Sequence, residues 1–115
     1  MKKSGRDKKT PSLGHAALEV LIEEITVDAY GEQEQLWAFR QAFEDNVPLP
    51  AEGSVVGEPV VVLAFDYDGN ERRGLTAKCR TADGRKHVVA AADLLMDPGT
   101  EASRYVAAYR KWMGL

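Results

Sequence analysis

The fold is organised around residues 23–50, which read EEITVDAYGEQEQLWAFRQAFEDNVPLP. Apolar residues spaced three and four apart share one face of a helix, and here they are Leu36, Phe39, Phe43 and Val47. Trp37 and Ala38 widen this face toward a core. Because Pro48 and Pro50 cannot continue a helix, the pattern predicts an amphipathic helix that ends before Pro48.

Carboxylates lie at both ends of this predicted helix. We expect Asp28 to cap its start, because the side chain of an aspartate can accept a free backbone N–H there. At the other end, Glu44 and Asp45 bring negative charge to the negative end of the helix dipole, where basic residues would be stabilising. Arg40 is the one basic residue between residues 23 and 50. This excess of negative over positive charge indicates that something further compensates these carboxylates.

The length and composition fit one folded domain, residues 13–115. The chain has 115 residues, of which 44% are hydrophobic, enough for a modest core. Neither end carries a long apolar segment or a signal peptide, so we expect a cytoplasmic protein without membrane association. Cys79 is the single cysteine, which excludes an internal disulfide and a cysteine-rich zinc site.

The formal net charge of −3 hides a basic N-terminal arm. Residues 1–12 hold five basic residues against Asp7, a net charge of +4, which leaves −7 for residues 13–115. Because the arm has no apolar periodicity, we predict that it is disordered. Clustered lysines can bind phosphates, but this arm lacks interleaved aromatic residues and adjoins an acidic domain, which disfavours a nucleic-acid partner.

Three apolar runs after Pro50 predict an antiparallel meander. The runs cover residues 58–67, 72–81 and 86–94. Asp68-Gly69-Asn70 and Asp83-Gly84 lie between them and are hairpin turn signals. Alternation in the second run places three residues toward the core, namely Leu75, Ala77 and Cys79. A fourth short strand at residues 53–56 would turn the sheet into a small SH3-like curled barrel.

Helices are predicted before and after this sheet. A first short helix over residues 15–25 follows from the spacing of Leu18, Leu21, Ile22 and Ile25. Near the C-terminus, a turn at residues 97–101 precedes Tyr105, Tyr109 and Trp112, whose spacing predicts a terminal helix held by aromatic packing. The whole pattern predicts an α+β fold in which helices cover one face of a three- to four-stranded sheet.

A second acidic cluster lies around the first predicted hairpin, and it comprises Asp66, Asp68, Asn70 and Glu71. Ca²⁺ is bound by oxygen ligands on irregular chain of this composition. The segment is not an EF-hand, because counting from Asp66 the glycine comes fourth and the twelfth residue is Ala77. Asp-Gly-Asn between two strands is also ordinary turn chemistry, so a simple turn remains the alternative.

No catalytic constellation stands out in the sequence. His15 lies near the basic arm and His87 lies within a predicted strand, and neither belongs to a recognisable catalytic motif. There is no Gly-rich phosphate loop, serine elbow or reactive-cysteine signature. We therefore expect a binding protein and not an enzyme.

Three blocks of sequence carry a family resemblance. IEEI at residues 22–25, VDAYG at 27–31 and EDN at 44–46 together resemble the opening half of the cyanobacterial calcium-binding protein family, CcbP type. The resemblance is close over residues 22–50. In the meander, strands and acidic turns occur in both, but the residues do not match one by one. It implies an acidic cytosolic protein that buffers or senses Ca²⁺ without an EF-hand.

The resemblance implies a Ca²⁺-binding protein, and the acidic composition agrees with it. This sequence departs from the family at residues 66–71, so we take the calcium ligands from the two acidic clusters themselves, as two sets. The first set lies on and beside the predicted helix and comprises Asp28, Glu44, Asp45 and Asn46. The second set lies at the hairpin and comprises Asp66, Asp68, Asn70 and Glu71. The hairpin set would form a second site, or complete the first site if the hairpin folds over the helix.

A protein-interaction module is the competing hypothesis. A basic stripe beside the acidic helix would consist of Arg72, Arg73, Lys78, Arg80, Arg85 and Lys86. Such a bipolar charged surface can bind a protein partner through complementary charge. The plainer interpretation of the stripe is a solvated strand face whose charges pair across strands.

Overall fold

Five antiparallel strands form one sheet in the computed structural model, which describes residues 14–115. The predicted basic arm, residues 1–12, lies outside the described residues. The helices are α1 (His15–Thr26), α2 (Glu32–Asn46) and α3 (Glu101–Met113). The strands are β1 (Ala51–Val55), β2 (Glu58–Tyr67), β3 (Leu75–Thr81), β4 (Lys86–Ala90) and β5 (Leu94–Met96). The predicted α+β fold, with helices before and after the sheet, is confirmed.

The sheet is open, so the prediction of a curled barrel is wrong. Its strand order is β4-β3-β2-β1-β5, which leaves β4 and β5 at opposite edges. The sequence predicted one strand over residues 86–94, but a 3₁₀ turn at Ala91–Asp93 ends β4. The chain then crosses to the far edge, where β5 pairs with β1. Because β4 and β5 do not pair with each other, the sheet does not close.

The two faces of the sheet differ in character. The predicted core face is confirmed, because no surface is exposed at Leu75, Ala77 and Cys79. The opposite, outer face carries polar residues. The register of β2 and β3 pairs Asp66 with Thr76 and Ala64 with Lys78, so these four side chains share the outer face.

Aromatic residues of α2 and α3 cover the core face. The ring centroid of Phe43 lies 4.6 Å from that of Phe65 in β2 and 5.9 Å from that of Tyr105 in α3. Phe39 packs against Trp112 at 5.1 Å, which confirms the predicted aromatic packing of the terminal helix. Among residues 14–115, no helix combines the length and apolar character that crossing a membrane requires.

The start of α2 differs from the prediction. The helix begins at Glu32 after Gly31, whose φ of +91° lies in the region that favours glycine. Asp28 is exposed in the preceding turn and does not cap the helix. The carboxylate of Glu34 instead accepts the backbone N–H of Tyr30 at 2.9 Å. This hydrogen bond ties the first turn of α2 to the preceding loop, and among residues 14–115 no side chain caps the start of the helix.

Trp37 lies at the rim of the core and not inside it. Its side chain is 47% exposed, and its ring meets that of Tyr67 edge-on, at 5.1 Å between centroids. The four residues of the predicted apolar stripe are buried, namely Leu36, Phe39, Phe43 and Val47. Helical spacing thus identified the buried face of α2, but overestimated its width.

Gly74 precedes β3 at a point where α3 approaches closely. Its φ of +68° lies in the left-handed region that favours glycine. The hydroxyl of Tyr109 occupies the position where a Cβ at residue 74 would stand. That hydroxyl accepts the backbone N–H of Leu75 at 2.9 Å in a buried environment. A side chain at residue 74 would therefore displace Tyr109 and disrupt this hydrogen bond.

Replacing Gly74 with alanine should destabilise the protein more than the same change at Gly84. Gly84 also has a positive φ, +85°, but a Cβ there would meet no atom within 4 Å. We expect Gly84→Ala to lower the free energy of unfolding by about 1–2 kcal/mol and Gly74→Ala by about 3–4 kcal/mol. Urea unfolding of both variants measures the difference, and equal losses would contradict the close contact with Tyr109.

Candidate functional site

A groove of about 680 Å³ lies between the C-terminal end of α2 and the outer face of β2 and β3. Carboxylates from two elements line it, Glu44 and Asp45 from α2 and Asp66 from β2. We define the carboxylate groove by its charged and amide side chains, which are Arg40, Glu44, Asp45, Asn46, Asp66 and Lys78.

The end of α2 reaches the groove because of how the helix packs and stops. Phe43 packs on Phe65, which precedes Asp66 in β2. The helix ends at Asn46, and the buried Val47 donates its N–H to the carbonyl of Phe43 at 2.9 Å. Extended chain then leads into β1. The acidic end of α2 is therefore held beside β2.

Arg40 bridges the two sides of the groove. Its Nη1 lies 2.8 Å from Oε1 of Glu44, and its Nε lies 3.5 Å from Oδ1 of Asp66. The Arg40 side chain is 28% exposed, and its Nε is buried without a hydrogen-bond partner. Glu44, which the sequence analysis took to be uncompensated, is thus ion-paired within α2.

The remaining oxygen-bearing side chains of the groove are held by local hydrogen bonds. Gln41 donates from Nε2 to Oδ1 of Asp45 at 3.0 Å. Asn46 donates from Nδ2 to the carbonyl of Ala42 at 2.9 Å. The backbone N–H of Tyr67 donates to Oδ1 of Asp66 at 2.8 Å. Among residues 14–115, Oδ2 of Asp45 and Oδ2 of Asp66 accept no hydrogen bond. These oxygens are available to a ligand.

The hairpin tip uses its oxygen atoms to build the turn. Oδ1 of Asp68 accepts the N–H of Asn70 at 2.9 Å. Oδ1 of Asn70 accepts the N–H groups of Arg72 and Arg73, at 3.0 and 3.2 Å. Arg73 also lies 3.5 Å from Oδ2 of Asp68, and Glu71 is exposed. Turn chemistry, which the sequence analysis kept as the alternative, accounts for Asp68 and Asn70.

A second acidic group lies near the start of α2, around the hydroxyl of Tyr67. That hydroxyl donates to Oε1 of Gln33 at 3.1 Å. Burial raises the pKa of Tyr67 above its ordinary value, and the negative charges of Glu71, Asp68 and Glu32 raise it further. Glu32 was not among the site residues predicted from the sequence.

The structure therefore divides the predicted ligands between the two ends of α2. Glu44, Asp45, Asn46 and Asp66 share the carboxylate groove. Asp28, Asp68, Asn70 and Glu71 lie outside it. The 15 residues of α2 span about 22 Å, so Asp28, which precedes the helix, does not share a site with Asp45. Within residues 14–115, no three His, Cys, Asp or Glu side chains converge closely enough to hold a metal ion as they stand.

The predicted basic stripe is not one surface. Arg73 pairs with Asp68, and Arg85 pairs with Asp83 at 3.6 Å, both within hairpin turns. Three other members share the outer face of the sheet, namely Lys78, Arg80 and Lys86. There the register places Arg80 directly opposite Lys86, which is a like-charge pair and not the opposite-charge pairing that the plainer interpretation required.

Two solved structures share this fold. One, described as "Calcium binding protein in the calcium-binding form", is 18% identical and aligns with a TM-score of 0.69, covering 85% of this chain and 90% of its own. The other is the crystal structure of Anabaena CcbP, 16% identical, with a TM-score of 0.71, covering 91% of this chain and 95% of its own. No family model matches the chain, and no curated protein matches it significantly. At this level of identity the likeness establishes the fold.

Glu71→Gln should lower the pKa of Tyr67 toward its ordinary value of about 10, because the variant removes the negative charge that raises this pKa most. A pH titration of tyrosinate absorbance, with Tyr67→Phe to identify the signal, measures the shift. Glu101→Gln on α3 removes a charge elsewhere and serves as the control. An unchanged Tyr67 titration in Glu71→Gln would contradict the grouping of these charges.

Proposed function

We propose that this protein binds Ca²⁺ in the carboxylate groove. The observation that carries the proposal is the meeting of Glu44 and Asp45 from α2 with Asp66 from β2 in one groove. The shared fold supports it, because one of the two similar structures is described as a calcium-binding protein in its calcium-binding form. The resemblance of residues 22–50 to the CcbP-type family agrees with both.

The ligands of the groove suit a hard divalent cation. Ca²⁺ takes about six to eight oxygen ligands from carboxylates, amide and backbone carbonyls and water, in a flexible geometry. The groove offers three carboxylates, the amide oxygen of Asn46 and the last carbonyls of α2. Because the three carboxylates do not converge closely as they stand, they would move together around a bound ion, with water completing the coordination.

The start of α2 is the weaker candidate for a second ion. Asp28, Glu71 and Glu32 are exposed there and bring negative charge to one end of the helix. Asp68 and Asn70, however, already bind backbone N–H groups of their own turn. An ion at this end would have to compete with those hydrogen bonds. We therefore assign the first equivalent of Ca²⁺ to the carboxylate groove.

The role that fits this site is a cytosolic buffer or sensor without an EF-hand, and not a catalyst. Binding to the folded state alone stabilises that state by mass action. Bound Ca²⁺ would also remove the repulsion between Glu44, Asp45 and Asp66. A buffer would bind with little change of structure, whereas a sensor would rearrange the groove enough to change what the surface presents to a partner.

A protein-interaction module is a second candidate, favoured by one observation. Arg80 and Lys86 lie directly opposite each other, with Lys78 on the same face, and none of the three has an ion pair within residues 14–115. Like charges directly opposite are destabilising, so the fold does not benefit from this arrangement. A partner for this face would carry negative charge, and its binding would weaken as salt is raised.

Calorimetric titration of the full chain with Ca²⁺ at physiological ionic strength tests the proposal. We expect a dissociation constant on the order of 10⁻⁷ to 10⁻⁵ M, the range of sensor sites, that survives excess Mg²⁺. Asp45→Asn and Asp66→Asn should each weaken binding by about tenfold or more, since each removes a charged ligand.

Glu101→Gln is the matched control, because Glu101 is an exposed helical carboxylate remote from the groove. We expect it to leave the affinity unchanged. Equal affinities in Asp45→Asn and Glu101→Gln would contradict a site in the groove. Loss of binding in Glu71→Gln with retention in Asp66→Asn would place the ion at the hairpin tip instead.

A further inference from the structure

The position of Arg40 in the groove bears on how Ca²⁺ enters, and the inference rests on the function proposed above. Its guanidinium contacts Glu44 at 2.8 Å and Asp66 at 3.5 Å, and these two carboxylates belong to different elements. A cation that binds both carboxylates must occupy the space between them. That space already holds a positive group of the protein itself.

The two contacts of Arg40 are unequal in quality. The contact with Glu44 is a close ion pair between residues four apart on one helix. The contact with Asp66 is longer, and Nε remains buried without a hydrogen-bond partner. A buried donor without a partner costs free energy, so Arg40 is not in an ideal bidentate arrangement. Its hold on Asp66 is therefore the weaker of the two contacts.

The charged side chains of the groove set the net charge that an entering Ca²⁺ would meet. Three carboxylates, Glu44, Asp45 and Asp66, face two basic side chains, Arg40 and Lys78, which leaves a net charge of −1. Removing the charge of Arg40 would make the net charge −2. Of the two basic groups, Arg40 is the one that lies within ion-pair distance of these carboxylates among residues 14–115.

We propose that Arg40 is a built-in counter-ion that Ca²⁺ must displace, so that this residue lowers the affinity of the groove for Ca²⁺. The guanidinium pairs with Glu44 and Asp66 and so links α2 to β2. When Ca²⁺ binds these carboxylates, repulsion between like charges expels the guanidinium toward solvent. The long side chain of arginine can make this movement without a change in the backbone.

Calcium titration of Arg40→Gln in the full chain tests this proposal. Because Ca²⁺ would no longer have to break two partly exposed ion pairs, we expect Arg40→Gln to bind about three- to tenfold more tightly than the wild type. Arg104→Gln is the matched control. Arg104 forms a comparable pair on α3, 3.3 Å from Glu101, so its replacement makes the same change in net charge away from the groove.

The possible results separate this inference from the function on which it rests. Wild-type binding with tighter binding in Arg40→Gln alone supports both. Wild-type binding with equal or weaker binding in Arg40→Gln overturns the counter-ion role and leaves calcium binding intact. Equal tightening in Arg104→Gln would show that net charge alone sets the affinity and would also overturn it. If neither the wild type nor Arg40→Gln binds Ca²⁺, the proposed function itself is wrong, and the counter-ion role with it.

Nuclear magnetic resonance can follow Arg40 directly in the wild-type protein during a Ca²⁺ titration. The buried Nε–H of Arg40 should give a slowly exchanging ¹⁵N signal, which Arg40→Gln identifies by its loss. Added Ca²⁺ should move this signal toward that of solvent-exposed arginine and speed its exchange with water, in proportion to occupancy. A signal that stays unchanged while Ca²⁺ saturates the protein would overturn the displacement of Arg40.

Discussion

The packing of Phe43 fixes where the C-terminal end of α2 lies. Its ring is fully buried between Phe65 of β2 and Tyr105 and Tyr109 of α3, at centroid distances of 4.6, 5.9 and 6.3 Å. Aromatic pairs of this kind add about 0.5–1.5 kcal/mol each beyond the burial of their area. They fix the last turns of α2 relative to both the sheet and the terminal helix.

The same contact assembles the polar groove. Arg40 lies one turn before Phe43, and Asp66 directly follows Phe65, so joining the two aromatic rings also joins the two charged groups. A site made this way depends on the core, because neither element alone provides it. The ion pairs of Arg40 with Glu44 and Asp66 offset part of the repulsion among the three carboxylates that line the groove.

Local sequence patterns predicted the elements well, and tertiary packing decided the rest. Alternation and turn signals gave β2 its observed bounds, and helical spacing found the buried face of α2. The barrel was wrong because a 3₁₀ turn at Ala91–Asp93, inside an apolar run, sends β5 to the other edge. The hairpin and helix sets of carboxylates could be listed from sequence. The sequence could not show that Asp66 lies beside Glu44. These residues are far apart in the chain, and the packing of Phe43 on Phe65 brings them together.

Mapping backbone amide shifts during a Ca²⁺ titration tests most directly whether the end of α2 and β2 form one calcium site. The proposed site predicts that the first equivalent of Ca²⁺ shifts residues 44–47 and residues 64–67 together, because ligands from both elements would close on the same ion. Shifts confined to residues 28–32 and 68–71 would contradict this account and place the ion at the opposite end of α2.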